Sequence, residues 1–164
     1  MSRPTREQWA MGLAQLTALR ATCCRRKVGA VLLNERGHVL ATGYNGVAAG
    51  QPHCNDTLKL SSHTPGAASI ITWPHACSGA SAPSGQSLDA CQAIHAEQNA
   101  MLQCRDVYAI HTAYVTASPC ITCCKLLLNT SCQRIVFLEE YPHTSAKELW
   151  LSAGRVWDKL QLPA

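Results

Sequence analysis

Thr5-Arg6-Glu7-Gln8 has the form of a helix capping box. Trp9, Leu13 and Leu16 follow at i, i+4 and i+7, the spacing of one apolar helix face, which predicts a helix to about Arg20. Val28 to Leu33 is an unbroken apolar run that reads as a buried strand. Asn34-Glu35-Arg36-Gly37 supplies a turn, and His38 to Thr42 returns as the second strand of a hairpin. Residues 44–90 are rich in Gly, Pro and Ser and read as irregular. So long a connection is either functional or tied down by something other than its own core.

Periodicity resumes with a helix over Cys91–Cys104, whose apolar positions are Ile94, Ala100, Met101 and Leu102. A strand is predicted over Ala113–Ala117. Pro119 then opens a helix that carries Ile121, Lys125 and Leu128 and ends near Thr130. Arg134–Leu138 reads as another buried strand, Thr144–Ala153 as a helix stopped by Gly154, and Val156 as part of a last short strand. Helices alternating with strands in this half require crossover connections. The expected fold is therefore α/β: a mixed sheet with helices on both faces, in one domain over residues 1–164 with a Ser/Gly/Pro-rich insertion at about 55–90.

Composition narrows the class. The chain is 164 residues long, 47% hydrophobic and 15% charged, which excludes a disordered protein. A formal charge of +4 is too mild a basic excess to suggest a nucleic-acid polymer as partner. The longest uncharged run, Leu60 to Leu88, contains Pro65, Pro74 and Pro83, so no membrane span is expected. The start, Met1 to Arg6, has no apolar run behind it of the kind a secretion signal carries. The ten cysteines are thus expected in a reducing, cytoplasmic setting, as metal ligands or buried thiols. There the glycosylation patterns at Asn55 and Asn129 carry no meaning.

Two pieces carry chemistry. His95-Ala96-Glu97 stands near the start of one helix, and Pro119-Cys120-Ile121-Thr122-Cys123 opens the next. The gap between them holds the rest of a helix, a turn and one strand, so both helix starts fall at the same sheet edge. One imidazole and two thiolates suit zinc, and three protein ligands leave a fourth position for water. Glu97, two residues past His95, points elsewhere than the ligand and is placed to act as a general base. The order H-x-E…P-C-x-x-C is the signature of the zinc deaminases.

Four segments extend the match. Cys23-Cys24-Arg25-Arg26-Lys27-Val28-Gly29-Ala30-Val31 and Gly43-Tyr44-Asn45-Gly46 precede the two zinc blocks, Ile94 to Ala100 and Tyr114 to Cys123. With these the chain, over about residues 5–158, resembles the deoxycytidylate deaminases of the cytidine deaminase-like superfamily. The resemblance implies a three-layer αβα fold around a five-stranded mixed sheet. It implies catalytic zinc on His95, Cys120 and Cys123, with Glu97 as proton shuttle. Substrate contacts would come from Asn45 to the sugar, the Ala96 N–H to the pyrimidine carbonyl, Arg26 to the phosphate, and Ser118 and Tyr141. A dCTP or dTTP effector, a triphosphate accompanied by Mg2+, would lie near Lys27, Gly43, Tyr44 and Gly46, in a homo-oligomer and by resemblance a hexamer. Relatives with a second, structural zinc suggest Cys23, Cys54 and Cys91 as its ligands, with Cys77 or His53 as the fourth.

The implied reaction is deamination of dCMP to dUMP, which feeds thymidylate synthesis. Action on dCTP or on a 5-modified dCMP is a close alternative. A deaminase of tRNA or single strands and a non-catalytic nucleotide sensor are more distant ones. The remaining residues have plainer expectations. Cys24, Cys104, Cys124 and Cys132 read as buried or half-buried thiols, and Trp150 and Trp157 as core or subunit contact. His53, His63, His75, His111 and His143 otherwise read as loop and surface residues.

Overall fold

The computed structural model describes residues 3–54, 56, 58–61, 70–73, 77–83, 86–87, 90–142 and 144–162. Asn55, His63, His75 and His143 lie outside the described residues. The chain opens with helix α1 (Arg6–Ala18) and the hairpin β1 (Gly29–Leu33) and β2 (Val39–Tyr44). Three short strands follow: β3 (Gly46–Val47), β4 (Leu58–Ser61) and β5 (Ile70–Trp73). Strand β6 (Ala93–Ile94) then leads into α2 (Ala96–Gln103), β7 (Thr112–Ala117), α3 (Ile121–Leu128), β8 (Arg134–Glu139), α4 (Ser145–Ser152) and β9 (Val156–Lys159).

The main sheet runs β2-β1-β7-β8-β9. Strand β1 pairs antiparallel with β2 and β7, while β7, β8 and β9 are mutually parallel, so the sheet is mixed as expected. The alternation of a strand sorts its side chains into two cores. Val31, Leu33, Tyr114 and Val136 meet Ala10, Met11 and Ala14 of α1 on one face. Ala30, Leu32, Val115, Ile135 and Phe137 meet α2, α3 and Trp150 of α4 on the other. The expected three layers are present.

Thr5 caps α1 as expected: its N–H donates to Gln8 Oε1 at 2.8 Å, and its hydroxyl accepts from the Gln8 N–H at 3.2 Å. The buried face of that helix differs from the expected one. Trp9 is 41% and Leu16 64% exposed, whereas Ala10, Met11, Ala14 and Ala18 are buried. The reason is close approach. A Cβ on Gly29 would stand 2.0 Å from the Ala14 carbonyl oxygen, so larger side chains do not fit at Ala14 and Ala18, while Met11 fills the space further along and Leu13 packs at its margin. Gly43 admits α2 to the opposite face in the same way.

Two further expectations are corrected. Residues 44–90 are not wholly irregular: β3 pairs with β6, and β4 with β5 from Leu58↔Trp73 to Ser61↔Ile70. Their strand signals are four residues long or shorter and sit among Gly, Pro and Ser, which hides them. The helix expected from Cys91 begins only at Ala96, because Ala93 and Ile94 are used as a strand against Val47 and Gly46. Within α2, Leu102 points outward, 77% exposed. Trp150 is fully buried, and Trp157 packs on Phe137 with ring centroids 5.2 Å apart. Cys124 and Cys132 are buried as expected, but Cys24 is exposed. Among the described residues, no helix is long and apolar enough to cross a membrane.

Candidate active site

Helices α2 and α3 start at the same edge of the sheet, on either side of the C-terminal end of β7. His95 is the extended N-cap of α2, fixed by its N–H donating to Gln98 Oε1 at 2.8 Å. Cys120 is the extended N-cap of α3, and Cys123 follows one turn later. Twenty-five residues apart in the chain, His95 Nδ1 and Cys120 Sγ are 3.4 Å apart, and Cys123 Sγ lies 3.4 Å from the same nitrogen. All three donor atoms fall within 4.8 Å of one another, and no other such group occurs among the described residues. The far end of α3 is anchored by Arg155, whose guanidinium donates to the carbonyls of Leu127, Leu128 and Cys132.

Electrostatics mark the same spot. Glu97 is only 4% exposed, and burial pushes its carboxyl up to about 7, against the opposing pull of His95. Hydrogen bonds from Cys123 and from His95 draw the Cys120 thiol down to about 4 despite its burial. The same Cys120–Cys123 contact, with burial, pushes Cys123 well up. His95 is raised by its bond to Cys120. A buried acid, an imidazole and a thiolate-prone cysteine thus share one floor.

Above that floor is a pocket walled by Val28, Asn45, Ala93, Ala96, Ser118 and Tyr141, with Arg25 and Arg26 also on its lining. Asn45 is buried and anchored to the backbone beside it: Oδ1 accepts from the Val28 N–H at 2.8 Å, and Nδ2 donates one hydrogen to the Arg26 carbonyl at 2.7 Å. Ser118 ties down the opposite wall, its N–H donating to the Glu139 carbonyl and its hydroxyl accepting from the Tyr141 N–H at 2.7 Å. Arg26 forms an ion pair with Glu139.

Over residues 4–139 the chain matches the family described as the cytidine and deoxycytidylate deaminase zinc-binding region. The chain belongs to this family. It is 37% identical over 142 residues to the deoxycytidylate deaminase of Mycobacterium phage D29, covering 85% of this chain and 99% of that one. Against ComE operon protein 2 of Bacillus subtilis the identity is 32%, over 99% of this chain and 75% of the relative. In fold it is similar to the dCMP deaminase of cyanophage S-TIM5 solved in complex with dCMP and dUMP, with a TM-score of 0.67, 23% identity, and coverage of 98% of this chain and 100% of that one.

In this family member, the residues expected around an effector are spread over two neighbouring hollows and the strand beneath α2. Lys27 borders a surface hollow formed by Ala21 to Lys27. Tyr44 and Gly46 border another with Thr22, His53 and Asn99, where Asn99 Nδ2 donates to the Tyr44 carbonyl at 2.8 Å. Gly43 lies under α2, packed against Ala96 and Ala100.

Of the four cysteines expected at a second metal, Cys54 lies beside Cys77 and Cys23, and Cys77 beside Cys91, but they do not form a close donor group like that of His95, Cys120 and Cys123. Cys23, Cys54 and Cys77 are buried. Burial pushes Cys54 up to about 12, and the thiols of Cys77 and Cys23 beside it add to the shift. Burial opposes the charge on Cys77, but the amides of Gln92 and Gly79 and the thiols of Cys54 and Cys91 hold it below its usual value. His53, the other expected fourth ligand, is exposed and borders the Tyr44 hollow instead.

Two further residues act around the pocket. Arg25 Nη1 donates to the Gln86 carbonyl at 2.8 Å and lies 3.4 Å from that of Pro83, pinning the insertion to the pocket wall. Glu139 is the partner of Arg26, 113 positions away, and no local pattern announces it.

Proposed function

We propose that this protein is a zinc-dependent deoxycytidylate deaminase, converting dCMP to dUMP with release of ammonia. The observation that carries the reading is Glu97, buried beside His95, Cys120 and Cys123 at the floor of a pocket lined by two arginines. Membership of the family and the names of the relatives support it.

The donor set fits zinc. Tetrahedral zinc with Zn–S near 2.3 Å and Zn–N near 2.0–2.1 Å needs N···S edges of about 3.6 Å, and the two nitrogen–sulfur separations here are 3.4 Å. Held by His95, Cys120 and Cys123, zinc would supply Lewis-acid charge that makes a water nucleophilic near neutral pH.

The chain's own groups do the rest. The Ala96 N–H, at the positive start of α2, holds the pyrimidine carbonyl. Asn45 meets the sugar, Arg26 the phosphate, and Ser118 and Tyr141 close the wall opposite. Glu97 takes a proton from the water as its oxygen bonds to C4 of cytosine, and passes it to ring nitrogen N3. It then carries the second water proton to the exocyclic amine as the C4–N bond breaks and ammonia leaves. Burial disfavours the charged form of Glu97, which helps its carboxyl take up and release a proton within the pocket.

We further propose five features of the protein. A second zinc sits among Cys23, Cys54, Cys77 and Cys91 and orders the insertion. Residues 1–164 form one domain. The chain assembles as a homo-oligomer, a hexamer. The effectors are dCTP and dTTP, with Mg2+, near Lys27, Gly43, Tyr44 and Gly46. The protein works in the cytoplasm. Product chromatography tests the activity with dCMP, dCTP, deoxycytidine, 5-methyl-dCMP and a cytosine-bearing single strand, each with and without dCTP or dTTP as effector. Conversion of dCMP to dUMP is expected, and turnover of the single strand alone would overturn the reading.

A further inference from the structure

Arg26 reaches the pocket from a backbone that cannot swing away. Asn45 grips the two peptides that flank Lys27, through the Arg26 carbonyl at 2.7 Å and the Val28 N–H at 2.8 Å. The Arg26 side chain is three-quarters buried, and its outer edge is paired with Glu139. Glu139 is equally fixed at its root, because it ends β8 in register with Ala117 and its carbonyl accepts from the Ser118 N–H at 2.8 Å. Only its carboxylate reaches outward, 71% exposed. The neighbouring Glu140 faces Lys147 at 3.9 Å. Arg25, the other cation on the pocket, has one arm committed to backbone carbonyls of the insertion.

Exposure therefore rises from Glu97 on the pocket floor through Arg26 on its lining to Glu139, whose carboxylate lies off the lining and against that guanidinium. We propose that Glu139 sets how many phosphates the substrate carries, because its carboxylate repels the outer phosphates of a di- or triphosphate and leaves Arg26 to serve a single one. The inference rests on the reading that Arg26 receives the substrate phosphate, and it makes Glu139 a specificity-determining residue that does not touch the reacting atoms. Removing one like-charge contact near a protein surface changes affinity by about fivefold to tenfold.

The test compares kcat/KM for dUMP formation from dCMP with that for dUTP formation from dCTP, in the intact protein, Glu139→Gln, Glu139→Asp and Arg26→Gln. Where dCTP turns over too slowly, the competitive Ki of dCDP against dCMP is read instead, because dCTP is also a proposed effector. Glu139→Gln is expected to raise the dCTP-to-dCMP ratio about tenfold, mainly through KM for dCTP or Ki for dCDP, while Glu139→Asp stays within about twofold of the parent. An unchanged ratio in Glu139→Gln overturns the role of Glu139. The phosphate reading then still stands if Arg26→Gln raises KM for dCMP relative to deoxycytidine. Should Arg26→Gln leave that comparison unchanged, the phosphate reading falls and the role of Glu139 with it.

Discussion

Gly43 lies directly beneath Ala96: a Cβ built on the glycine would stand 2.2 Å from the carbonyl oxygen of the alanine. The strand that carries Gly43 is thereby pressed against the first turn of α2, the turn that presents His95 and Glu97. Gly43→Ala must push α2 outward at its start. The cost expected is about 1–3 kcal/mol of stability from overpacking. Zinc affinity is expected to fall with it, because the imidazole moves relative to Cys120 and Cys123. Thermal unfolding and metal content of the purified variant check this, and unaltered values for both would refute the positioning role given to Gly43.

Glu97→Gln keeps the shape of the side chain and removes its proton traffic. Turnover is expected to fall by about a hundredfold or more, the usual worth of a general acid–base group. Zinc content is expected to stay at the parent value, because Glu97 is not among the three donors. Elemental analysis alongside the deamination assay separates the two effects. Activity near the parent level would dismiss the shuttle, and loss of zinc would show that the carboxylate supports the metal.

Cys54→Ser addresses the second metal. Cys54 has Cys77 and Cys23 beside it and lies apart from the His95 group. The variant is expected to bind one zinc per chain where the parent binds two, and its insertion is expected to be cut sooner by proteases, since ordering a loop without a core depends on the ligand it folds around. Equal zinc content in parent and variant would count against a metal held by these thiols.

Stability at high pH has a local source in Cys132. Its thiol is fully buried, and burial lifts it from the ordinary 9.0 to about 11. The unfolded chain loses this proton first, so above pH 9 the unfolded state binds fewer protons and stability falls as pH rises. The contribution is complete below pH 9, is lost by about pH 11, and amounts to about 2–3 kcal/mol. Denaturant titrations from pH 8 to 11 are expected to show a shallower decline for Cys132→Ala than for the parent. Parallel declines would mean that this thiol does not govern alkaline unfolding.

Much of this protein was legible along the chain. The capping box at Thr5, the apolar run from Val28 and the Gly154 stop are local devices, whereas α3 starts two residues after Pro119 with Cys120 as its cap. Local devices survive into the fold because they satisfy the backbone of their own segment. The signature of His95, Glu97, Cys120 and Cys123 was legible for a related reason: the residue types state the chemistry, and a gap of strand length states the return. Short strands in the insertion were not, since a pair such as Leu58–Ser61 with Ile70–Trp73 exists only through its cross-strand bonds.

Other features belong to the tertiary structure alone. Two helix faces compete on α1, and periodicity favours the larger residues Trp9, Leu13 and Leu16. The sheet buries Ala10, Met11, Ala14 and Ala18 and keeps only Leu13 of the expected face at its margin, because at Gly29 the helix lies too close for larger residues at Ala14 and Ala18. The pairing of Arg26 with Glu139 and the grip of Asn45 on the Arg26 peptide join segments that share no local pattern. Burial, charge pairing and the lift of Glu97 to about 7 are properties of what surrounds a residue. Those surroundings exist only once strands distant in sequence lie side by side.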